Sequence, residues 1–525
     1  MSTFRILAAW KAFSQAGTQC VAWLTSHGLQ GSMGEIRRHP KQILWCLSAV
    51  WTCLLVSFEN QAAGMVLSIP RFRQDFGREY RGSYVLDTQW QSAFYAGPIA
   101  ASVIGTFGAA YVADKVGRKP VFIAGIPGSF AAVALEFVAT TNPVFFGGKF
   151  INGWTAGVLL AVAVTYIGEV SPSPTRGILT CLTALMMTLG PLAASIIIDK
   201  TGNSSSRWAY RAVFCSQFIF GAIALTFAPF MPESPVWCIS ANKEEKAKRM
   251  LRRLGIAEET EIAQHIAGIR ANLQDGESQA RATFLECFRR ENLRRTIISI
   301  MPLATQALGG VYFIGSYGTY YMQLAGYNTA DSFKLQIAQH GLAMAGNICS
   351  WFLVDRVGRR PLTFWGHLSL TVILLLVASL GTVGSPGAVK ASVGLIVMYN
   401  FFYNISIATS RLHVKTISIG IALQYTIYCI WAFANLGAKT AYLFGGLGVL
   451  LLVYMWFYQP ETAGRSYEEL DELFKKGIKV RDFKKYETDA ERRARGVERV
   501  QLGFWGYLES RIAPSQGNQQ LAPRT

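Results

Sequence analysis

Runs of about 18–25 mostly apolar residues recur along this chain, each long enough to cross a hydrocarbon core of roughly 30 Å as a helix. In lipid every backbone N–H and C=O must be bonded within its own helix or within a closed barrel, so such runs leave few folds open. Hydropathy and breaker residues place twelve spans, at 42–66, 91–113, 120–140, 144–166, 178–198, 210–230, 296–322, 335–354, 362–382, 391–409, 416–434 and 440–458. The chain therefore reads as an all-α membrane protein with twelve transmembrane helices. Charged residues make up 16% of it, against roughly 25% for a soluble protein, and mean hydropathy is +0.26. The net charge of +18 sits in short connectors and one central stretch, as the positive-inside rule expects, not on a soluble basic face for nucleic acid.

The same charged turn occurs twice. VADKVGRKP at 112–120 returns as LVDRVGRRP at 353–361, with Asp114 and Asp355 separated by 241 positions (355 minus 114) and Gly105 and Gly346 by the same interval. Each copy follows the second span of a set of six, so the chain reads as two related six-helix bundles, 42–237 and 295–459. Parallel repeats of this kind place a substrate path between the halves near the bilayer midplane. A helical linker is expected at 238–294, a mixed basic segment without a signal-peptide pattern at 1–41, and a tail at 460–525. An even number of spans puts both termini on one side, and the basic loops 115–119, 238–294 and 356–360 assign that side to the cytosol. Asn203, in Asn203-Ser204-Ser205, then falls in an outside loop as a glycosylation sequon.

With these features in view, the chain resembles the sugar porter family of the major facilitator superfamily. The likeness runs from about residue 42 to 475 and rests on both turns, GEVSPSPTRG at 168–177, PESPVW at 232–237 and PETAGRSYEELDELF at 460–474, in the family's order. Within that family it looks most like the fungal α-glucoside (maltose-type) permeases, through TQALGGVYFIGSYGTYYMQLAG at 305–326, SWFLVDRVGRRPLTFWG at 350–366 and LGAKTAYLFGG at 436–446. The resemblance implies a secondary transporter working by alternating access, with a small-molecule substrate, protons as the coupling ion and a plasma-membrane location. It implies no cofactor and no metal, and a monomer.

Glu59 stands inside the first span, where an ionisable group is costly unless paired, wet or protonated. Proton-coupled members of the family carry an aspartate at this place and pair it with an arginine in span 4, whose place Lys149 holds. Glu59 and Lys149 are thus the expected proton-coupling pair. Glu136, near the end of span 3, is expected at the membrane interface in a structural role. A sugar needs hydroxyl partners and a flat apolar face, which amides and aromatic rings supply. Gln306 matches a sugar-binding glutamine of the family, and Tyr317, Tyr320 and Tyr321 follow on the same span. Asn60, Gln217 and Gln424 add amides at membrane depth. The resemblance assigns Asp114, Arg118, Lys119, Glu169, Arg176 and Glu233 to a cytosolic gate, with Asp355, Arg359, Arg360, Glu461 and Arg465 as its counterpart in the second half.

The sequence also departs from the family. From Asp114 to Pro232 is 118 positions, and from Asp355 to Pro460 is 105, so thirteen are missing from the second copy, around spans 10 and 11. Pro191 stands where relatives usually carry a glutamine, and Val236 replaces an arginine. A carrier or exporter of another small molecule, such as a fungal secondary metabolite, therefore stays open beside a sugar or polyol symporter, as does a transport-inactive sensor. Enzyme chemistry has no support, since no nucleophile–base set, metal cluster or phosphate loop is visible. Nine cysteines without CxxC spacing read as packing residues.

Overall fold

A computed structural model describes residues 37–80, 82–172, 175–280, 290–383, 385–406, 440–461 and parts of 469–488. The first half comprises α1 (Pro40–Val66), a short α2 (Pro70–Phe76), an antiparallel hairpin of β1 (Arg78–Tyr80) and β2 (Ser83–Val85), α3 (Thr88–Val116), α4 (Arg118–Val138), α5 (Asn142–Val170), α6 (Arg176–Thr201) and α7 (Trp208–Phe227). A connecting segment follows, α8 (Pro235–Ser240), α9 (Glu244–Arg253) and α10 (Glu259–Ala280). The second half holds α11 (Arg290–Leu308), α12 (Val311–Leu324), α13 (Thr329–Val357), α14 (Arg359–Val383), α15 (Pro386–Ser406) and α16 (Thr440–Tyr458). Among the described residues, nine helices are long and apolar enough to cross a membrane. The eleventh expected span, 416–434, and most of the shortened region lie outside the described residues.

The seventh expected span, 296–322, is not one helix. It breaks into α11 and α12 at Gly309 and Gly310, where Gly310 takes a left-handed φ of 85°. The Tyr399 hydroxyl of α15 donates to the freed Gly309 carbonyl, which satisfies an acceptor that the break leaves without a helical partner.

Within the first half α1, α3, α4 and α5 pack on one another, with α6 and α7 alongside α1; within the second, α13, α14, α15 and α16 do the same. The repeated glycines explain the closest of these contacts. A Cβ on Gly105 of α3 would stand 2.2 Å from the Trp154 carbonyl oxygen of α5, and one on Gly346 of α13 would stand 2.5 Å from the Phe401 carbonyl oxygen of α15. Backbones can approach this closely only where a side chain is missing, which is how helices associate in lipid. The interval seen in the sequence is therefore a repeated helix–helix contact.

The turns repeat as well. α3 ends and α4 begins at Gly117, with φ 112°, and α13 gives way to α14 at Gly358, with φ 90°, conformations that side chains other than glycine's strain to adopt. These two turns lie at the same end of the molecule. α13 starts beside the last turn of α6, with Phe333 packed among Ala194 and Ile198, and its 29 residues carry it about 43 Å back to the end where α6 begins.

The two halves meet along α6 and α13 and between α1 and α12. At the end opposite the turns, polar side chains join them. Gln61 Nε2 donates to the Gly315 carbonyl at 3.1 Å, Arg73 Nη2 to Gln323 Oε1 at 3.0 Å, and Gln323 Nε2 to the Ser68 carbonyl at 3.1 Å. Asn203 is exposed at this same end, just after α6, as the sequon reading requires.

The connecting segment forms its own small core, in which Trp237, Cys238, Ala247, Leu251, Ile256, Ile262 and Ile266 are buried. Lys243 and Lys246 lie over the Trp237 ring, 4.9 and 5.2 Å from its centroid. The apolar stripe predicted for this region thus faces its own helices. Burial pushes the Cys238 thiol up to about 11, so it behaves as a small apolar group at neutral pH. Cys46, Cys53, Cys181, Cys215, Cys238 and Cys349 are all free thiols.

Candidate functional site

Three ionisable side chains meet inside the first half. Lys149 Nζ of α5 lies 2.6 Å from Glu59 Oε1 of α1 and 2.9 Å from Glu136 Oε2 of α4. Lys149 and Glu136 are fully buried, and Glu59 keeps 4% of its surface exposed. Asn152 Nδ2, one turn after Lys149, donates to Glu136 Oε1 at 3.0 Å, and Ser129 Oγ donates to Asn152 Oδ1 at 3.4 Å. The rings of Phe145 and Phe214 flank the ammonium at 5.7 and 5.2 Å from their centroids.

Helical periodicity builds this cluster. Lys149 and Asn152 are three apart on α5, and Ser129 and Glu136 are seven apart on α4, so each pair shares one helix face. The expected Glu59–Lys149 contact forms. The interfacial position expected for Glu136 does not, and this is a correction. Two residues from its helix end, Glu136 would reach water if that end were open. Phe72 and Phe76 of α2 share a buried cluster with Val133 and Ala139 at this end of α4 and stack on Phe145 and Tyr210, with ring centroids 4.4–6.1 Å apart. The short helix after α1 acts as an aromatic lid that span counting does not foresee.

At the turn end the expected gate residues form two matched sets. Arg118 reaches Glu169 with Nη2 at 2.7 Å and Nε at 3.0 Å, and Asp114 with Nη1 at 3.1 Å. The backbone amides of Arg118 and Lys119 donate to Glu233 Oε1 at 2.9 and 3.2 Å. In the second half the amides of Arg359 and Arg360 donate to Glu461 Oε1 and Oε2 at 3.2 and 3.1 Å. A carboxylate thus caps the free amides at the start of α4 and of α14, where the helix dipole favours negative charge. The repeat extends further: Lys119 Nζ donates to the Pro229 carbonyl at 2.6 Å and Arg360 Nη2 to the Trp456 carbonyl at 2.8 Å. Arg176 Nε bonds Ser171 Oγ at 3.2 Å. Each of these contacts joins elements of a single half. The side chain of Asp355 and all of Arg465 lie outside what is described.

The expected sugar-binding residues are scattered. Gln306 is half-buried on α11, just before the break, and Asn60 is exposed on α1. Tyr321 is buried in the second-half core, and its hydroxyl lies 3.0 Å from Ser392 Oγ. Gln217 is also buried, with both amide atoms lacking a partner among the described residues. Tyr317 and Tyr320 lie on α12, their side chains outside the description, as is Gln424. The sequence reading placed a span within α13 but missed its amides. There Gln336 accepts from the Thr319 hydroxyl, and Gln339 is buried beside Gly318 with both amide atoms without a described partner. Amides three residues apart in an apolar span were the available signal.

Comparisons with known proteins agree with this architecture. The family model for Sugar (and other) transporter matches residues 45–474. The General alpha-glucoside permease of Saccharomyces cerevisiae is 25% identical over 482 residues, covering 85% of this chain and 77% of that protein. Maltose permease MAL61 of Saccharomyces cerevisiae is 26% identical over 489 residues, covering 87% and 79%. Among solved structures, the partially occluded inward open conformation of the xylose transporter XylE from E. coli aligns with a TM-score of 0.66 at 19% identity, covering 81% of this chain and 100% of that one. XylE bound to 6-bromo-6-deoxy-D-glucose aligns with a TM-score of 0.66 at 20% identity, covering 83% and 100%. Matched turns, repeated glycine contacts and a family match over most of its length together establish that the chain belongs to the sugar transporter family of the major facilitator superfamily.

Proposed function

We propose that this protein is a proton-coupled symporter of a sugar or sugar-like polyol that works by alternating access. The observation that carries the proposal is the Glu59–Lys149 contact of 2.6 Å within the first bundle. A carboxylate there is paired when ionised and released when protonated, so its charge state can bias which way the bundles tilt. Support for the substrate class comes from the permeases named above for α-glucosides and maltose. Half-buried Gln306, together with Gln336 and Gln339 of α13, provides amides of the kind that read sugar hydroxyls.

On this reading the turn end faces the cytosol, with 238–294 as a cytosolic linker and both termini on that side of the plasma membrane. Polar bonds tie the halves together at the opposite end, while the charged sets at the turn end bind within their own halves, an arrangement suited to an inward-facing state. Closing the cytosolic side would bring the two sets together as a gate.

The test is expression in a yeast strain deficient in sugar uptake, with labelled maltose, glucose and polyols supplied with and without a protonophore. Accumulation against a gradient that the protonophore abolishes is the expected result. Normal surface expression with no uptake of any of these compounds would overturn the sugar assignment. Uptake indifferent to the protonophore would overturn the coupling.

A further inference from the structure

The buried cluster contains one more carboxylate than a simple pair needs, and its two acids are not equivalent. Glu136 has two partners: Asn152 donates to its Oε1 at 3.0 Å, and Lys149 ion-pairs with its Oε2 at 2.9 Å, although that oxygen has no hydrogen-bond partner among the described residues. Its helix and that of Lys149 are pressed together: a Cβ on Gly148 would come within 2.8 Å of Glu136 Cγ. The glutamate, its lysine and its asparagine thus lie on one closely packed helix pair. Glu59 has a single partner among the described residues, Lys149 at 2.6 Å from Oε1. Its Oε2 is buried without a hydrogen-bond partner, and it stands on α1 beside exposed Asn60 and beside Gln61, which reaches across to Gly315 of the second half. The charges that act most strongly on Glu136 and Lys149 are those of the cluster itself; of the other charged groups on the helices packed around it, Arg211 of α7 lies over the Phe137 ring beside Glu136, and Arg118, Lys119 and Glu169 stand at the turn end of α4 and α5.

With all three groups ionised the cluster carries a net charge of −1, and one added proton makes it neutral. In a simple acid–lysine pair, protonating the acid would strand a buried ammonium, which is strongly unfavourable. A second anion removes that obstacle. We propose that Glu136 is the fixed counter-ion of Lys149, so that the cluster exchanges a single proton at Glu59 while Lys149 stays charged and bound. The proton adds to the Glu59 carboxylate from water and leaves by the same oxygen; no other bond changes. Glu136 is in this sense a positioning residue, and the proposal rests on the proton-coupled reading above.

Purified full-length protein in detergent tests it by thermal unfolding from neutral pH down through the ordinary glutamate range, to about pH 4, each variant compared with the wild type. In Glu136→Gln, protonating Glu59 removes the last anion from Lys149, so the melting temperature is expected to fall progressively as the pH is lowered. The wild type keeps two anions about Lys149 and shows no such added slope; Glu59→Gln, left with Glu136 as its one anion, falls only as Glu136 itself is protonated. The double variant Glu136→Gln/Lys149→Met, with no ammonium to strand and a lone carboxyl favouring its protonated form, is expected to reverse the slope. Should Glu136→Gln not fold, Glu136→Asp, which keeps the charge but shortens the reach, is expected to show a weaker version of the same fall. A deficit equal at every pH, unaltered by Lys149→Met, would assign Glu136 to packing alone and overturn the proposal. Accumulation of labelled maltose in liposomes under an imposed pH gradient separates the two readings. The expected slopes with no gradient-driven accumulation by the wild type would leave Glu136 as counter-ion and remove proton coupling. Accumulation by the wild type with parallel melting curves would do the reverse.

Discussion

A fully buried ammonium requires anions within reach, and Lys149 has two. Removing one partner of a buried, hydrogen-bonded charge pair costs about 3–5 kcal/mol, because the charge left behind is uncompensated. Lys149→Met leaves two buried carboxylates facing each other, so a loss of that size is expected in thermal or denaturant unfolding; a change within about 0.5 kcal/mol would mean that the cluster is wet. Glu59→Gln keeps the shape and removes the exchangeable charge. In liposomes this variant is expected to retain sugar exchange at equal pH and to lose gradient-driven accumulation; undiminished accumulation would exclude Glu59 from the coupling step. At the turn end, Glu233→Ala and Glu461→Ala each strip a carboxylate from the free amides of a helix start. Each is expected to cost about 0.5–2 kcal/mol, as loss of a helix cap does, and similar losses from the two would follow from the repeat.

The elements owe their positions to contacts that propensity does not describe. α3 and α5, and likewise α13 and α15, come within backbone reach because a glycine stands at the crossing. Gly105→Val and Gly346→Val push a side chain into a carbonyl and are each expected to cost about 1–3 kcal/mol, as overpacking does. Surface expression and thermal stability would show this, and a variant as stable as the wild type would mean that the crossing can open freely. Most spans were legible because an apolar run flanked by proline, glycine or charge has one way to satisfy its backbone in lipid. The break between α11 and α12 was not. An apolar run reads as continuous across Gly309 and Gly310, and the Tyr399 hydroxyl that bonds the carbonyl at the interruption comes from a helix about ninety residues on. The aromatic lid of α2 escaped notice for a related reason: seven residues are too few to register as an element, yet they decide whether Glu136 meets water.

For the molecule as a whole, the bonds between Arg73, Gln323 and Ser68 close the end opposite the turns. If the protein works by alternating access as proposed, these bonds break in every cycle. Replacing Arg73 and Gln323 with cysteines and treating the protein with a short bifunctional thiol reagent is expected to block uptake, and cleaving the linker to restore it. Full transport by the cross-linked protein would show that this end need not open. The repeat of turn and glycine at one interval told from the sequence alone that two related bundles exist, since two independent loops have no reason to share both a motif and a spacing. The Glu59–Lys149 partnership was legible too, through the resemblance, which pairs an acid of the first span with a base of the fourth at the places these two residues hold. What only the tertiary structure decided is which further groups share that compensation and which amides and rings face inward. Periodicity gives the face of a helix, but the neighbour on that face is set by how the helices cross and what covers their ends. Glu136 and Tyr321 show the consequence: the first is covered and becomes a partner of Lys149, and the second packs against α15 with its hydroxyl beside Ser392.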